Sequence, residues 1–225
     1  MRSVQIRPAI QVARRAILMS SLAFRASLEV TEHSRCAEAC IRLLPWLDSL
    51  GCRDEIDPIE RDILSTPYHR LETEQQRDAF WAGEGAGIYL WTLGKVSVPP
   101  PACTISDHQA IIAIARVLYP EAQSILETAA LRSDDEIHAY SKQVASIRTE
   151  FQRRALDESA REMLLKIRRD LLGKIGLNIS NEDLKSACAS IDAMSSEEKK
   201  SAPGFYFVRE HAVSWLFDSR ASYFS

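Results

Sequence analysis

Helix-start signals recur along this chain of 225 residues, and they constrain its fold more than any other feature. Asp57, Pro58 and Glu60 form one such signal: a capping carboxylate, a proline at the first helical position and a glutamate that reaches back to the cap. Ser133 and Glu136 repeat the capping box before a long apolar stripe of helical spacing. No segment alternates between apolar and polar residues within turn boundaries, as a strand would demand, and only 204–208 is open to either assignment. The sequence therefore predicts an all-α fold of about eight to ten helices without a substantial sheet.

The length of the chain fits one compact domain. Its 225 residues, 46% of them apolar, can bury roughly 70% of the surface that the unfolded chain exposes. One helical domain over 1–225 is therefore predicted, and two closely packed helical subdomains, 7–130 and 131–218, are the alternative. The long helix that begins after Ser133 either continues past Asp157 or breaks there.

The first and last helices carry specific expectations. Residues 7–31 combine arginines with an apolar run, which is compatible with a targeting segment and with a packed helix. The packed helix is favoured because Ile10 and Leu28 belong to one apolar stripe, with the arginines mostly off it. The last helix is expected to begin near Gly204, after a polar loop at 195–203.

The charge of the chain is nearly balanced. It has 28 Lys and Arg against 31 Asp and Glu, a net charge of −3, so no overall field points to nucleic acid or to a membrane surface. Nucleic-acid binding would require the cations of 166–169 to form one basic face with Arg153 and Arg154. No run reaches the ~18 apolar residues that a membrane helix needs. We therefore expect a protein partner rather than nucleic acid or a membrane, and the oligomeric state stays open.

The chain contains five cysteines, an odd number in a sequence too large to need disulfides. Free thiols in a reducing cytoplasm are the simplest explanation. A helix would align His33, Cys36 and Cys40, but the paired spacing of structural zinc sites is absent. We predict a cytoplasmic protein without a metal or another cofactor.

One carboxylate interrupts an aromatic helix face. At helical spacing Trp81, Glu84 and Trp91 fall within about 80° of one another, so the glutamate points where the tryptophans point. A charge in that position requires a cationic or hydrogen-bonding partner, a raised pKa, or a cavity that admits water or a ligand.

Three glycines surround this carboxylate, at positions 83, 85 and 87. They lack the preceding strand of a dinucleotide site and the Gly-Lys-Ser/Thr ending of a P-loop. The glycines indicate instead a small-residue groove on which another helix or a bulky ring packs closely.

Two arginines break the apolar stripes of their own helices. Arg148 and Arg209 are both natural counter-ions for Glu84, since a guanidinium can bind a carboxylate through two parallel hydrogen bonds. A buried ion pair that fixes helix packing is favoured here over a ligand or catalytic site. Arg132 and Glu136, four residues apart at a helix entrance, are expected to form a local pair with a capping role.

The histidines give no clear catalytic pattern. His211 lies off the apolar face of the last helix and is expected at the surface, although its pKa would suit acid–base work if a cleft formed there. His69, His108 and His138 show no partner spacing. No nucleophile elbow, catalytic triad or carboxylate pair can be assigned, so an enzyme is not favoured.

Several blocks of sequence carry a family resemblance. They read WAGE at 81–84 with LWTLG at 90–94, LRSDDEI at 131–137 and VREHAVSWL at 208–216. In order and type these blocks resemble the bacterial family catalogued as domain of unknown function 4272. The resemblance covers most of 10–217, and it implies a helical, cytoplasmic bacterial domain without an established reaction.

The resemblance also implies a set of recurring polar and aromatic positions. In this chain they are Trp81, Glu84, Trp91, Arg132, Glu136, Arg209 and Trp215. The glycines at 83, 85 and 87 depart from the family pattern. The region 157–203 is expected to be variable, because 157–200 matches no part of that pattern.

Two functions follow from these observations as expectations. The favoured one is a non-enzymatic helical protein that binds another macromolecule, of the immunity or accessory type, through an exposed patch on one helical face. The alternative is a small-ligand-binding protein or enzyme with a Trp-lined polar pocket around Glu84. The alternative requires an accessible cavity beside Glu84 with unmet hydrogen-bonding groups.

Overall fold

The computed structural model describes residues 5–101 and 104–217, apart from the side chain of Ser201. Within these residues the chain forms ten α-helices and no strand, so the all-α prediction is confirmed. Two short 3-10 turns, Arg53–Glu55 and Pro120–Ala122, lie between helices. In chain order the helices are α1 (Ala9–Glu29), α2 (Cys36–Ser49), α3 (Pro58–Ser65), α4 (Thr73–Thr92), α5 (His108–Ala115), α6 (Gln123–Glu127), α7 (Asp134–Arg154), α8 (Glu158–Lys174), α9 (Asn181–Asp192) and α10 (Ser196–Phe217).

The chain divides into two compact units. The N-terminal unit contains residues 8–100 and 106–131, and therefore α1 to α6. The C-terminal unit contains, among the described residues, 5–7, 101, 104–105 and 132–217, and therefore α7 to α10. Across the described ranges, no helix is both long and apolar enough to cross a bilayer.

Helix α1 is the centre of the N-terminal unit. It packs most extensively against α4 and also contacts α2, α3, α5 and α6. Ile17, Leu18 and Leu22 are fully buried in this core. Because α1 has neighbours on several sides, its buried surface is wider than the single stripe that the residue spacing indicates.

The expectation that the arginines of α1 lie off its buried face is wrong for Arg15 and Arg25. Both side chains are buried, whereas Ile10 is 39% exposed. Both charges are compensated, as a buried charge must be. Arg15 binds Glu60 with Nη1–Oε2 and Nη2–Oε1 distances of 3.0 and 2.5 Å. Arg25 pairs with Glu29 and donates to two backbone carbonyl groups of the connection between α3 and α4.

The predicted helix starts at Asp57 and Ser133 are confirmed. The Asp57 carboxylate accepts the N–H of Glu60, while the Glu60 carboxylate accepts the N–H of Asp57. The same reciprocal capping box joins Ser133 and Glu136 at the start of α7. The long helix that begins after Ser133 could either continue past Asp157 or break there. It breaks, because Asp157 caps a separate helix, α8.

The predicted start of the last helix is wrong. Helix α10 begins at Ser196 and not near Gly204, so most of the expected polar loop is helical. Ser195 explains the difference: its Oγ accepts the N–H of Glu198, and its N–H donates to the Glu198 carboxylate, which makes a capping box. The charged residues that follow are good helix formers. Pro203 lies inside α10, where a proline removes one helical hydrogen bond.

Candidate functional site

Glu84 lies in the middle of α4 and its side chain is fully buried. The backbone N–H of Ser106 donates to its Oε1 at 2.7 Å, and the Ser106 hydroxyl donates to its Oε2 at 2.9 Å. The His108 Nε2 atom lies 3.1 Å from Oε1. Ser106 and His108 therefore provide the buried hydrogen-bonding partners that the position of Glu84 requires.

The glycines of α4 allow this contact. A Cβ atom at Gly83 would lie 2.6 Å from Cδ2 of the His108 ring, and a Cβ atom at Gly87 would lie 3.0 Å from Cδ1 of Ile111. Real side-chain atoms do not approach so closely without displacement. The expectation that a bulky ring or helix packs on these glycines is therefore confirmed at Gly83 and Gly87, where the elements are the His108 ring and helix α5.

The contacts of Glu84 leave one ring nitrogen of His108 outside the cluster. Ser106 donates to both carboxylate oxygens of Glu84, and the third contact is with His108 Nε2. A carboxylate accepts hydrogen bonds, so the arrangement favours a ring whose Nε2 carries a proton. Nδ1 makes no hydrogen bond to any described residue. Ser106 binds the carboxylate and not the imidazole, so this cluster is not a Ser–His–acid triad.

His108 forms part of the wall of a surface groove between α1, α4 and α5, with a volume of about 450 Å³. Small-molecule sites in proteins have volumes of roughly 300 to 1,000 Å³. The His108 side chain is 9% exposed. The Phe80 ring is its neighbour on the wall, with the ring centroids 4.6 Å apart. The remaining apolar lining residues are Ala23, Ala26, Val30 and Ile112.

The groove also contains polar groups that can hydrogen-bond to a ligand. Its polar lining residues are Ser27, Thr73, Gln76, Arg77, His108 and Gln109. The side-chain amides of Gln76 and Gln109 make no hydrogen bond to the described part of the chain. Arg77 is bound to Glu74 and Asp78 on its own helix. The groove therefore combines a mainly apolar wall with His108 Nδ1 and two unpaired amides.

The two tryptophans of α4 do not line this groove. Trp81 packs edge-on against Phe80, with the ring centroids 5.2 Å apart, and Trp91 is buried. The aromatic residue of the groove wall is Phe80. The groove reaches His108 but not Glu84, whose side chain is fully buried. It is therefore not the Trp-lined pocket around Glu84 that the sequence predicts as the alternative.

Arg132 and Glu136 occupy the positions expected of them. Arg132 Nη1 lies 3.1 Å from Glu136 Oε1 at the entrance of α7, and Glu136 completes the capping box with Ser133. The hydrogen bond from Ser133 is the main reason why the pKa of Glu136 is lower than usual. The pair has the local capping role that its spacing predicts.

Other sequence-predicted residues belong to the C-terminal unit. The suggestion that Arg148 is a counter-ion for Glu84 is wrong, because Arg148 pairs with Glu210 at an Nε–Oε2 distance of 2.9 Å. Glu210 lies on α10, which packs directly against the helix of Arg148, so this carboxylate is close enough to pair with Arg148 locally. Arg209 is buried and donates to the carbonyl groups of Pro101 and Thr104 at 2.7 and 2.8 Å.

His211 and Trp215 also lie on α10. His211 is partly buried, with its ring centroid 4.5 Å from that of Phe207. Burial is the main reason why the pKa of His211 is lower than usual. Trp215 is buried, and Arg7 covers its ring with the guanidinium carbon 4.1 Å from the ring centroid. These contacts support the packing of the C-terminal unit.

Sequence reasoning missed Ser106 and His108. It set His108 aside for lack of a partner, but His108 contacts Glu84 from 24 positions along the chain. The available signal was indirect. A helix start at Ser106-Asp107-His108 follows the triple proline at 99–101, and α4 has a glycine where a ring could approach.

Comparisons with known proteins bear on the family of the chain. A family model described as a domain of unknown function, number 4272, matches residues 1–167. No curated protein and no solved structure matches the chain. Among the described residues, no group of three or more His, Cys, Asp or Glu side chains is arranged to hold a metal ion.

Proposed function

Because the chain belongs to the family catalogued as domain of unknown function 4272, which supplies no reaction, we propose a function from its own geometry: the protein binds a small organic ligand in the groove between α1, α4 and α5. One observation carries the proposal. A histidine held in place by a buried carboxylate lies in the wall of a groove of about 450 Å³, and its second ring nitrogen has no hydrogen-bond partner among the described residues. An apolar wall with a few placed polar groups is typical of small-molecule sites.

The groove favours a ligand of definite chemistry. Phe80 is 42% exposed and, with Ile112 and the alanines of α1, it provides apolar contact. Nδ1 of His108 accepts a hydrogen bond from a hydroxyl or N–H group of the ligand. The ligand is therefore a compact molecule with an apolar or aromatic body and one hydrogen-bond donor.

Glu84 has an indirect role in this site. Its hydrogen bond to Nε2 fixes which nitrogen carries the proton and holds the ring in one orientation. A free imidazole would lose orientational entropy on binding, and a preorganised one avoids that loss. Glu84 is thus a positioning residue for His108.

Phenol is a suitable probe, and anisole is its matched control because anisole lacks the hydroxyl donor. We expect phenol to shift the NMR signals of His108 and Phe80 saturably, and anisole to bind several-fold more weakly. Phe80→Ala should weaken phenol binding, whereas Ile41→Ala, at an exposed position on α2, should leave it unchanged. Equal effects of the two substitutions, or shifts that do not saturate, would contradict the proposal.

A second observation favours the protein-binding function. Met163, Ile167 and Leu171 follow one another at four-residue spacing on α8 and are 62%, 49% and 50% exposed. Residues at this spacing lie in a row on a helix surface. A row of large apolar residues in solvent is typical of a surface that a partner covers.

The partner that we propose for this row is a second copy of the chain. In an antiparallel pair of α8 helices centred on Ile167, Met163 of one copy lies opposite Leu171 of the other. The same arrangement brings Lys166 close to Asp170 of the other copy, twice by symmetry. Neither Lys166 nor Asp170 has an ion pair within the described chain, so both charges are available for this contact.

Sedimentation measures this association directly. We expect a concentration-dependent dimer, which Ile167→Asp converts to a monomer and Ile41→Asp leaves intact. A monomer at all concentrations would contradict self-association. A dimer that Ile167→Asp does not affect would exclude α8 as its interface.

As part of the same proposal, the protein acts in a bacterial cytoplasm. Cys36, Cys40, Cys52 and Cys188 are free thiols, and a reducing compartment keeps thiols free. Localisation of a tagged chain by fractionation of cells tests this point, and recovery in a periplasmic fraction would contradict it.

A further inference from the structure

Two arginines share one carboxylate in the C-terminal unit. Arg148 of α7 binds Oε2 of Glu210 through Nε at 2.9 Å, and Arg168 of α8 binds Oε1 through Nη2. Arg168 Nε also donates to the Thr149 hydroxyl at 3.2 Å, and Arg148 Nη1 donates to the carbonyl of Phe207 at 3.2 Å. The shared carboxylate therefore holds the two guanidinium groups close to each other, and the two further hydrogen bonds hold them rigidly.

Positive charge exceeds negative charge in this cluster. Arg148 from α7 and Arg168 from α8 face Glu210 and His211 from α10, which leaves one net positive charge when His211 is neutral. Burial lowers the pKa of Arg148 to about 10. Burial and the charge of Arg148 lower the pKa of Arg168 to about 10. Burial and the charge of Arg148 also lower the pKa of His211. Burial disfavours the charged form of all three groups, and the charge of Arg148 adds to this effect at Arg168 and His211.

The two arginines retain N–H donors that no group in the described part of the chain uses. Arg148 Nη2 and Arg168 Nη1 make no hydrogen bond to the described residues, and neither is sealed from solvent. The Arg148 and Arg168 side chains are 16% and 12% exposed. The half-exposed ring of Phe207 lies under the Arg148 guanidinium, with the guanidinium carbon 4.5 Å from the ring centroid. The cluster therefore presents N–H donors and an uncompensated charge at a partly desolvated surface.

We infer that Arg148 and Arg168 together bind the phosphate group of a small molecule, with His211 at the edge of the site. A phosphate dianion accepts several N–H donors at once, and a guanidinium matches its geometry through paired hydrogen bonds. The anion supplies the negative charge that one carboxylate cannot supply to two arginines. This site is separate from the groove of the N-terminal unit, and it does not depend on the function proposed for that groove.

Inorganic phosphate is the first probe, titrated at constant ionic strength against chloride. We expect saturable shifts of the Nε–H signals of Arg148 and Arg168. The pKa of His211 should rise in the same titration, because a bound anion offsets the repulsion from Arg148. A purely structural cluster would show neither effect. Shifts that match those caused by chloride, or a His211 pKa that stays constant, would overturn the inference.

A matched pair of variants locates the site. Arg168→Gln should weaken phosphate binding roughly ten-fold or more, since it removes a charge-assisted donor. Arg169→Gln, next to it on α8 and bound to Asn181, should not change the affinity. Arg168→Lys keeps the charge opposite Glu210 but lacks the paired donors of the guanidinium group, so this variant should also bind phosphate weakly. It replaces Arg168→Gln in the experiment if that variant does not fold. Equal affinity in the Arg168 and Arg169 variants would overturn the inference.

Two further probes define the ligand class. Methyl phosphate should bind at least as well as inorganic phosphate if the site takes a phosphate ester, and more weakly if it takes free phosphate. Under either result, the group that the site binds is a phosphate. Acetate that binds more tightly than either of them would overturn it, because the site would then prefer a carboxylate.

Discussion

Gly83→Ala tests how the His108 ring is seated on α4. The added Cβ atom would lie 2.6 Å from the ring, whereas ordinary contacts begin at 3.4 Å. The ring must therefore move away from α4. The Nε2–Oε1 distance to Glu84, now 3.1 Å, then increases beyond the range of a hydrogen bond. The substitution should both overpack the site and break the link between His108 and Glu84.

The magnitude follows from three opposing terms. Alanine in a helix interior is about 1 kcal/mol better than glycine. Overpacking of a tight core site costs about 1 to 3 kcal/mol, and loss of a hydrogen bond to a charged group costs about 1.5 to 3 kcal/mol. We expect a net loss of about 1.5 to 5 kcal/mol in the free energy of unfolding, measured by urea denaturation followed by circular dichroism.

Gly173→Ala is the matched control for this substitution. Gly173 also lies in a helix, but a Cβ atom there would be 3.6 Å from its nearest neighbour, Asn178. That variant should gain up to about 1 kcal/mol from helix propensity alone. If Gly83→Ala stabilised the protein to the same extent, the ring would not be seated on α4, and the reasoning about this site would be refuted.

Three further predictions concern buried ionisable groups. Glu60→Gln should lower the free energy of unfolding, measured with urea, by about 3 kcal/mol, because it leaves the Arg15 charge buried without its partner. Glu38→Gln, which removes an exposed ion pair, should lower it by less than about 0.5 kcal/mol. The folded pKa of His211 is below its ordinary value of 6.5, so the unfolded state binds the proton more tightly and stability should fall as the pH decreases below 6.5. His211→Gln should reduce this pH dependence, and an unchanged profile would contradict it. Cys52, whose pKa burial raises to about 12, should not react with iodoacetamide at pH 8 until urea unfolds the protein, and labelling of the native state would contradict this.

Local signals predicted much of the fold. The capping boxes at Asp57 and Ser133 depend on residues three positions apart, and the sequence displays such pairs directly. The break near Asp157 could only be left open, because the apolar residues keep their helical spacing across it and only the Asp157 cap marks the start of α8. The predicted start of α10 is too late because the polar composition of 195–203 favours a loop, whereas Ser195 and Glu198 form a capping box.

Long-range contacts could not be predicted in this way. Arg15 and Arg25 are buried because several helices surround α1. The spacing of apolar residues within α1 does not show how many helices will pack around it. The sequence indicated that Glu84 needs a partner, but the choice between an arginine and His108 depends on how the chain returns to α4 after the proline-rich segment. The glycines at 83 and 87 are local signs of that return, because they mark where the His108 ring and α5 approach α4.

The state of the His108 ring is the most direct test of the proposed ligand site. In a long-range nitrogen–proton NMR spectrum of the free protein, donation to Glu84 requires a protonated Nε2, and the acceptor role that we propose for Nδ1 requires that this atom carries no proton. Phenol should then move the Nδ1 signal saturably, because it donates its hydroxyl proton to that atom. An Nδ1 that is protonated in the free protein, or that does not respond to phenol, would contradict the account.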